Sequence, residues 1–273
     1  MDTAELQLLT SLEDNHWWYR ERRAILRREL RRLPGPGRAL DIGAAGGGNT
    51  RVLKEHGWQA VALEYSDSAA DVARSRGIRV MRADARELPI RSGTCGLITA
   101  FDVLEHIDED YLAAAEMARV LQPGGTALIA VPCDMALWSA HDAAVGHMRR
   151  YSRPELTSLI QKAGLTIERM WSWNVLLRPA VAVRRKSSTG SDLGEVSPLA
   201  NGLLTTVVVA ERYLPVKSWP GVSLMLRARR PLSRRRPLAW HRQPVSGDPR
   251  GPRSALRGFS MELVFSASRL GQA

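Results

Sequence analysis

Residues 39–50 read ALDIGAAGGGNT, and this stretch decides the fold. Apolar residues surround Asp41 and lead to Gly43, and the following small residues end where a helix over 49–56 is predicted. Glycines let a ligand approach the backbone, and the start of a helix offers N–H groups with no partner inside the helix. The stretch therefore predicts a buried strand, a tight turn and a helix, with a ligand held at the turn. A turn that binds nothing is the alternative.

The same alternation of strand and helix continues along the chain. Apolar runs of strand length predict strands over 39–43, 59–64, 78–81, 96–101, 126–131, 165–171 and 222–226. Helical spacing of apolar residues predicts helices over 49–56, 68–76, 111–121 and 154–163. Strands that alternate with helices at this pitch predict an α/β fold, a parallel sheet with helices on both faces.

Changes in composition divide the chain. Leucines at helical spacing predict an N-terminal helical segment over 1–33, and the sequence Pro-Gly-Pro-Gly at 34–37 ends it. The main domain is predicted over 34–230, with a helical insertion over 173–219 before the last strand. The tail over 231–273 is rich in Arg, Pro, Gly and Ser, so we expect it to be disordered.

The net charge of +11 is concentrated in that tail. Residues 231–273 hold eight arginines against two acidic residues, so the rest of the chain is only mildly basic. Charge alone therefore gives no reason to expect a nucleic-acid partner, and no basic stripe with interleaved aromatics lies outside the tail. The apolar helices and basic residues of 173–219 predict either a cap over the acceptor site or a surface for peripheral membrane contact.

Acidic side chains follow successive predicted strands. Asp41 and Glu64 close the first two strands, Asp84 with Ala85 follows the third, and Asp102 follows the fourth. In open α/β sheets, ligands bind at the carboxyl ends of the strands. Carboxylates suit a ligand with positive charge, whereas a dinucleotide pyrophosphate prefers bare N–H groups at a helix N-terminus. The pattern predicts a cationic cofactor.

These residues resemble the class I S-adenosylmethionine-dependent methyltransferases of the UbiE-like, or type 11, group. The resemblance covers 39–171 strongly and extends more weakly to about 230; its motifs are LDIGAAGGGNT, RADARELP, FDVLEH and LQPGGTALIAVP. It implies a Rossmann-like sheet, S-adenosyl-L-methionine as cofactor, and a methyl-transferring enzyme. It also implies cofactor contacts, by Asp41 and Gly43 to methionine, by Glu64 to ribose, by Asp84 and Ala85 to adenine, by Asp102 near methionine, and by the turn residues Ala45 and Gly47.

The turn departs from the family pattern at one position. Ala45 stands where the middle glycine of D-x-G-x-G-x-G is usual. An added methyl is tolerated where φ is negative. We therefore expect the turn to keep its shape if Ala45 has a negative φ, with somewhat weaker cofactor binding.

The acceptor side is predicted in WSAHDAAVGHMRRY, residues 138–151, which follows the fifth strand. A hydroxyl acceptor needs a base, and we expect His141 or His147 in that role, with Asp142 orienting it. Each histidine alternatively makes only a structural hydrogen bond. Arg149 and Arg150, with Tyr151 beside them, are expected to bind the acceptor. His106 is a further candidate base, or it simply caps its turn.

The segment HWWYR at 16–20 is unusually aromatic for a leading helix. The helix either packs over the domain or acts as a lid that excludes water, with Arg20 pairing the cofactor carboxylate.

Several alternatives remain at this level. A NAD(P)-dependent oxidoreductase shares the sheet, and a non-catalytic or RNA-binding protein would use the basic tail. O-methylation of a small-molecule, glycan or lipid-linked acceptor is preferred. Cys95 and Cys133 lack metal-ligand spacing and are expected to be buried thiols, and no metal site is expected. The acidic N-terminus and the lack of a long apolar run predict a cytoplasmic protein.

Overall fold

A computed structural model describes residues 10–186 and 196–232. Seven strands form one sheet in the order β3-β2-β1-β4-β5-β7-β6. The strands are β1 (Arg38–Ile42), β2 (Gln59–Glu64), β3 (Val80–Arg82), β4 (Cys95–Phe101), β5 (Leu121–Pro132), β6 (Thr166–Trp173) and β7 (Ser223–Arg229). Each lies at or next to an apolar run that predicted it.

Helices of eight or more residues cover both faces of the sheet. They are α1 (Trp17–Leu30), α2 (Gly48–Glu55), α3 (Asp67–Ser75), α4 (Asp110–Val120), α6 (Arg153–Lys162), α7 (Arg178–Lys186) and α8 (Pro198–Ala210), and a short α5 (Ala140–Ala144) follows β5. Several begin at a serine cap; the hydroxyl of Ser66, for example, accepts the N–H of Ala69 at the start of α3. The predicted α/β fold with helices on both faces is confirmed.

Two hydrophobic layers sandwich the strands. One layer packs α4 and α6 against the sheet, with Met117 and Ile160 fully buried. The other packs α1 and α2 against the opposite face through Leu26 and Leu53, which are also fully buried. Burial of a leucine contributes about 1.5–3 kcal/mol, so α1 is held as firmly as the helices of the predicted domain.

One strand corrects the predicted parallel sheet. β7 pairs antiparallel with both β5 and β6, so the sheet is mixed. The apolar run at 222–226 indicated a strand but carries no direction. The insertion between β6 and β7, residues 173–219, begins and ends at one end of the sheet, where Trp173 pairs with Ser223, so β7 runs back between β6 and β5 in the opposite direction.

The N-terminal segment also differs from its prediction. The helical segment predicted over 1–33 is interrupted at 14–16, and α1 then begins after His16, whose side chain accepts the N–H of Trp18. The part of the prediction over 1–9 lies outside the described residues, as does the predicted tail beyond residue 232.

The chain crosses the sheet at the point where ligands bind in such folds. It runs from β1 outward to β3 and returns to β4, on the other side of β1. This reversal opens a crevice at the carboxyl ends of β1 and β4. Asp41 and Asp102 stand at this switch point, as the sequence predicts. Within the described residues, no helix is long and apolar enough to span a membrane.

Candidate active site

The turn between β1 and α2 is built from left-handed backbone. Gly43 has φ +66° and Gly47 has φ +80°. A Cβ at Gly43 would lie 2.5 Å from a methyl carbon of Val103, so only glycine fits there. Ala45 has φ +46°, so the negative φ on which the expected shape of the turn depended is not found. The turn keeps its shape at a cost, since the left-handed region disfavours an alanine by roughly 1–2 kcal/mol.

A hydrogen bond from Ala45 offsets this strain. Its N–H donates to the carboxylate of Glu64 at the end of β2, so Glu64 and the turn share one crevice. Glu64 is 8% exposed, and burial raises the pKa of its carboxyl to about 7. The carboxylate predicted to bind ribose therefore lies beside the turn and is only partly ionised at neutral pH.

Asp41 anchors the turn from below. Its carboxylate is buried and accepts hydrogen bonds from the hydroxyls of Thr50 and Thr99, both at 2.6 Å. Burial raises the pKa of Asp41 to about 6, against the effect of the two hydroxyls. Asp41 thus joins β1, β4 and α2 at the crevice, and its direct contact with a cofactor stays a prediction.

The N-terminus of α2 is already occupied by an anion from the chain itself. Glu13 accepts the N–H of Gly48 at 2.9 Å and pairs with Arg76. A dinucleotide site would use these N–H groups for pyrophosphate. This arrangement favours a cofactor without phosphate.

Asp84 and Ala85 lie after β3, at the side of the crevice. Asp84 is partly exposed and pairs with Arg86 at 2.7 Å. The hydrogen bonds from Arg86 lower the pKa of Asp84, so its carboxylate is ionised. Ala85 is buried beneath it.

The ion pair between Asp102 and Arg22 is the feature that points most directly to a ligand with a carboxylate. Asp102 has φ +56°, and it pairs with Arg22 of α1, whose side chain is only 4% exposed. The guanidinium lies 5.1 Å from the ring of Phe101 and 5.3 Å from that of Trp173. One of its terminal nitrogens, Nη1, is buried without a hydrogen-bond partner among the described residues. A buried donor of this kind is costly unless a ligand satisfies it.

Arg20 does not take this position. It is exposed and lines a separate cavity of about 450 Å³ between α1, α2 and α8, together with Arg23, Arg27 and Arg51. Successive residues of a helix are turned by about 100°, so Arg20 and Arg22 cannot face the same side. Of these two arginines, Arg22 is the one that lies beside Asp102 at the crevice.

The segment after β5 folds around Asp142. This carboxylate is fully buried and accepts hydrogen bonds from His147 Nδ1 at 2.8 Å, Arg150 at 2.8 Å and Arg185 at 2.9 Å. Burial opposes its charge, but these donors hold the pKa of Asp142 below its usual range. Of the two predicted bases, His147 is the one oriented by Asp142. The ring of His141 lies 6.2 Å from that of His147.

The three predicted acceptor ligands all have partners in the protein, and Arg150 and Tyr151 are buried whereas Arg149 is partly exposed. The guanidinium of Arg150 is 1% exposed and holds Asp142, and the hydroxyl of buried Tyr151 donates to Asp110 at 2.7 Å. Arg149 pairs with Asp110 at 3.0 Å. Because Tyr151 bridges to Cys133 beside β5, the chain turns these side chains inward. Arg150 and Tyr151 therefore support the site's wall, which corrects their prediction as acceptor ligands.

Glu105 and His106, just after β4, complete the wall opposite Asp102. Glu105 is fully buried, and Nε2 of His147 lies 3.8 Å from its carboxylate. Burial and the charge of Asp102 raise the pKa of Glu105 well above its ordinary value. The ring of His106 lies 4.8 Å from that of His147.

Comparison with known proteins agrees with this geometry. The model of a family described as "Methyltransferase domain" matches residues 15–169, more than half of the 273 residues. The chain belongs to this methyltransferase domain family. The predicted family, enzyme class and cofactor, S-adenosylmethionine, are thereby confirmed, and the oxidoreductase alternative is not supported.

Two curated relatives are methyltransferases. A probable S-adenosylmethionine-dependent methyltransferase of Mycolicibacterium smegmatis is 25% identical over 164 residues, 59% of this chain and 63% of that protein. The mouse tRNA (carboxymethyluridine(34)-5-O)-methyltransferase is 31% identical over 105 residues, 37% of this chain and 16% of that protein. The chain thus covers less than two thirds of the length of these relatives.

Solved structures share the fold of this methyltransferase domain. A putative sarcosine dimethylglycine methyltransferase from Galdieria sulphuraria gives a TM-score of 0.56 at 18% identity, over 78% of this chain and 87% of that one. Phosphoethanolamine N-methyltransferase 2 of Haemonchus contortus, in complex with S-adenosyl-L-methionine, gives 0.54 at 18% identity, over 77% and 52%.

The side chains of the methyltransferase crevice fit S-adenosylmethionine. The two ribose hydroxyls of S-adenosylmethionine can donate hydrogen bonds to a carboxylate such as that of Glu64. Its methionine carboxylate can bind Nη1 of Arg22, which has no hydrogen-bond partner among the described residues. Sequence reasoning missed Arg22 and Glu105. The arginine lay in the aromatic leading helix, where the register toward the crevice was not readable. The glutamate lay within FDVLEH, where no pattern indicated that its side chain is buried.

Proposed function

We propose that this chain is an S-adenosylmethionine-dependent O-methyltransferase that acts on a hydroxyl of a small-molecule, glycan or lipid-linked acceptor. The observation that carries the proposal is the pair formed by Asp142 and His147, next to the crevice at the end of β4. A hydroxyl must lose its proton to become a good nucleophile, and an imidazole oriented by a carboxylate is suited to take it.

The cofactor is held by residues at the ends of β2, β3 and β4 and by Arg22 of α1. Glu64 accepts the ribose hydroxyls, Arg22 pairs with the methionine carboxylate, and Asp102 positions Arg22 and approaches the methionine amine. Asp84 and Ala85 border adenine. When bound, S-adenosylmethionine supplies a methyl group on a positively charged sulfur, which leaves as a neutral thioether.

The tautomer of His147 follows from its partner. Asp142 is ionised, so its carboxylate can accept hydrogen bonds but cannot donate them. Nδ1 of His147 therefore carries a proton, and Nε2 has a free electron pair. Nε2 is the atom that faces Glu105 and the crevice. His147 therefore takes the hydroxyl proton, and Asp142 stabilises the resulting imidazolium. Arg150 and Arg185 hold Asp142 in place.

The aromatic leading helix serves water exclusion in this proposal. Trp18 of α1 packs against Trp173 at 4.4 Å between ring centres, directly beside Arg22. A dry crevice strengthens the electrostatic contacts to a cationic cofactor and protects it from hydrolysis. The Trp18 side of α1 thus acts as a lid, while Leu26 and its neighbours in α1 pack as core.

Exposed apolar side chains favour a lipid-linked acceptor. Large apolar residues of the insertion are at least one-third exposed, among them Leu199 at 87% and Leu203 at 66%, and Trp219 at 59%. Monomeric proteins rarely expose many such side chains close in sequence without a partner. Part of the basic character predicted for this surface is used internally, because Arg178 pairs with Asp134 and Arg185 with Asp142. Peripheral membrane contact of this region is therefore apolar in character, and co-sedimentation with neutral vesicles, lost in Leu203→Ser, tests it.

Transfer of label from methyl-labelled S-adenosylmethionine into cell extract tests the acceptor class. The extract is divided into aqueous metabolite, lipid and RNA fractions before incubation. We expect label in the metabolite or lipid fraction, in a linkage that resists mild alkali as an ether does. Label confined to RNA, or to an amine, would contradict the proposed acceptor.

The same assay tests the proposed base. In His147→Asn, turnover should fall by about 100-fold or more, the usual contribution of a positioned base, with cofactor affinity unchanged. His56→Asn is the matched control, because His56 bonds only the carbonyl of Val52 within α2. Equal turnover of both variants would refute the role of His147.

A further inference from the structure

Three metal-ligating side chains meet beside the crevice. Glu105 and His106 follow β4, and His147 follows α5; one ligand atom from each lies within 4.8 Å of the others. His147 lies 41 residues after His106 and 42 after Glu105, which is why the ligand spacing gave no metal prediction.

Glu105 is the residue of this cluster that most favours a bound cation. It is fully buried, and neither carboxylate oxygen finds a hydrogen-bond partner on another described residue. The guanidinium of Arg22 is engaged with Asp102 instead. Buried carboxylates are normally paired, hydrogen-bonded or bound to a metal. Both oxygens, which have no partner on another described residue, are therefore available to a bound cation.

Both histidines are prepared as ligands by groups behind them. His147 Nδ1 lies 2.8 Å from the carboxylate of Asp142, and His106 Nδ1 lies 3.1 Å from the carbonyl of Gly146. Metal-bound histidines usually donate their second ring N–H to a carboxylate or a backbone carbonyl, which fixes the tautomer. In both rings this leaves Nε2 as the ligand atom.

We infer that Glu105, His106 and His147 bind a divalent transition-metal ion of the zinc class. Two imidazole nitrogens and one carboxylate suit Zn²⁺ and its neighbours, whereas Mg²⁺ and Ca²⁺ take oxygen ligands. Bond lengths of about 2.0–2.2 Å separate tetrahedral ligands by roughly 3.3 Å. The 3.8 Å between His147 Nε2 and Glu105 needs little contraction, and the exposed side chain of His106 can move further.

The site bears on the proposed function without depending on it. Three protein ligands leave a coordination position open, as in catalytic zinc sites. A hydroxyl of the acceptor bound there would lose its proton more readily. With the ion present, His147 acts as a ligand, and the ion takes over the activation of the hydroxyl.

Binding of Zn²⁺ to the full chain, free of tags and stripped with EDTA, tests the inference. Calorimetry should give one equivalent per chain, displaced by Co²⁺ with the visible absorption of a low-coordinate nitrogen and oxygen site, and unaffected by millimolar Mg²⁺. Saturable binding should disappear in Glu105→Gln and in His106→Ala. His106 is exposed, so the second variant keeps its fold, and thermal melting confirms this for both.

His56→Ala controls for adventitious binding to a surface histidine and should retain full affinity. The inference is overturned if the wild-type chain takes up no stoichiometric Zn²⁺, or if both cluster variants bind it like the wild type. Label transfer measured in EDTA separates the two proposals. Methylation in EDTA supports His147 as the base, whatever the calorimetry shows, and absence of label from every fraction both with Zn²⁺ and in EDTA counts against the proposed function alone.

Discussion

Replacing Arg22 by methionine should weaken cofactor binding much more than the same change at Arg20. The guanidinium of Arg22 is 4% exposed, is paired with Asp102, and keeps one buried nitrogen free of protein partners. A hydrogen bond to a charged group contributes about 1.5–3 kcal/mol. Loss of the bond to the methionine carboxylate should therefore raise the Kd of S-adenosylhomocysteine about 10- to 150-fold.

Methionine is chosen because its length and apolar character suit the rings of Trp18 and Trp173 that surround Arg22. Asp102 is left unpaired but is 37% exposed, so water can solvate it and the loss of stability should stay small. Titration calorimetry with S-adenosylhomocysteine measures both variants, and thermal melting confirms their folding. Wild-type affinity in Arg22→Met, or a larger loss in Arg20→Met, would refute the assignment of the carboxylate to Arg22.

Two further predictions concern the crevice. Burial raises the pKa of Glu64 from 4.5 to about 7, so the folded chain keeps a proton that the unfolded chain releases. The free energy of unfolding should therefore fall as pH rises from about 4.5 to 7. S-adenosylhomocysteine needs the ionised carboxylate and should bind more tightly at pH 8 than at pH 6. Glu64→Gln should bind more weakly and largely lose this dependence in calorimetry, and an unchanged pH profile would contradict the role of Glu64. Ala45→Gly should raise the free energy of unfolding by about 0.5–1 kcal/mol, since release of left-handed strain outweighs the added flexibility of the unfolded chain. Urea denaturation measures this, and a destabilised variant would mean that the methyl group makes contacts that outweigh its strain.

The glycine turn and the strand-end carboxylates could be located from the sequence because their signals are local. The motif over 39–50 combines strand, turn and helix within twelve residues, and parallel strands bring their carboxyl ends to one edge. Glu64 could therefore be placed beside the turn, and Asp102 beside Asp41, from their positions at strand ends alone. The direction of β7 and the sign of φ at Ala45 could not be predicted. An apolar run does not show which way its strand runs, and a single substitution does not reveal how neighbouring groups hold the backbone.

The acceptor side shows the opposite case. Sequence reasoning placed His147 and Asp142 in the right segment, but it could not distinguish a side chain aimed at the crevice from one aimed at the core. Arg150 and Tyr151 were therefore predicted as ligands although their partners, Asp142 and Asp110, hold them inside the protein. The sequence likewise did not show which side of α1 faces the crevice, and that orientation decides whether Arg20 or Arg22 lies there.

The sequence by itself determined the order of strands and helices, the glycine turn and the acidic residues at the strand ends, because these depend on periodicity and backbone sterics within short segments. Only the tertiary structure decided which charged side chains meet. Glu105 and His147 are 42 residues apart, and the packing of β4 against β5 brings them together. Such contacts depend on the free energy of burying and pairing charges, which is settled only when the whole sheet has formed.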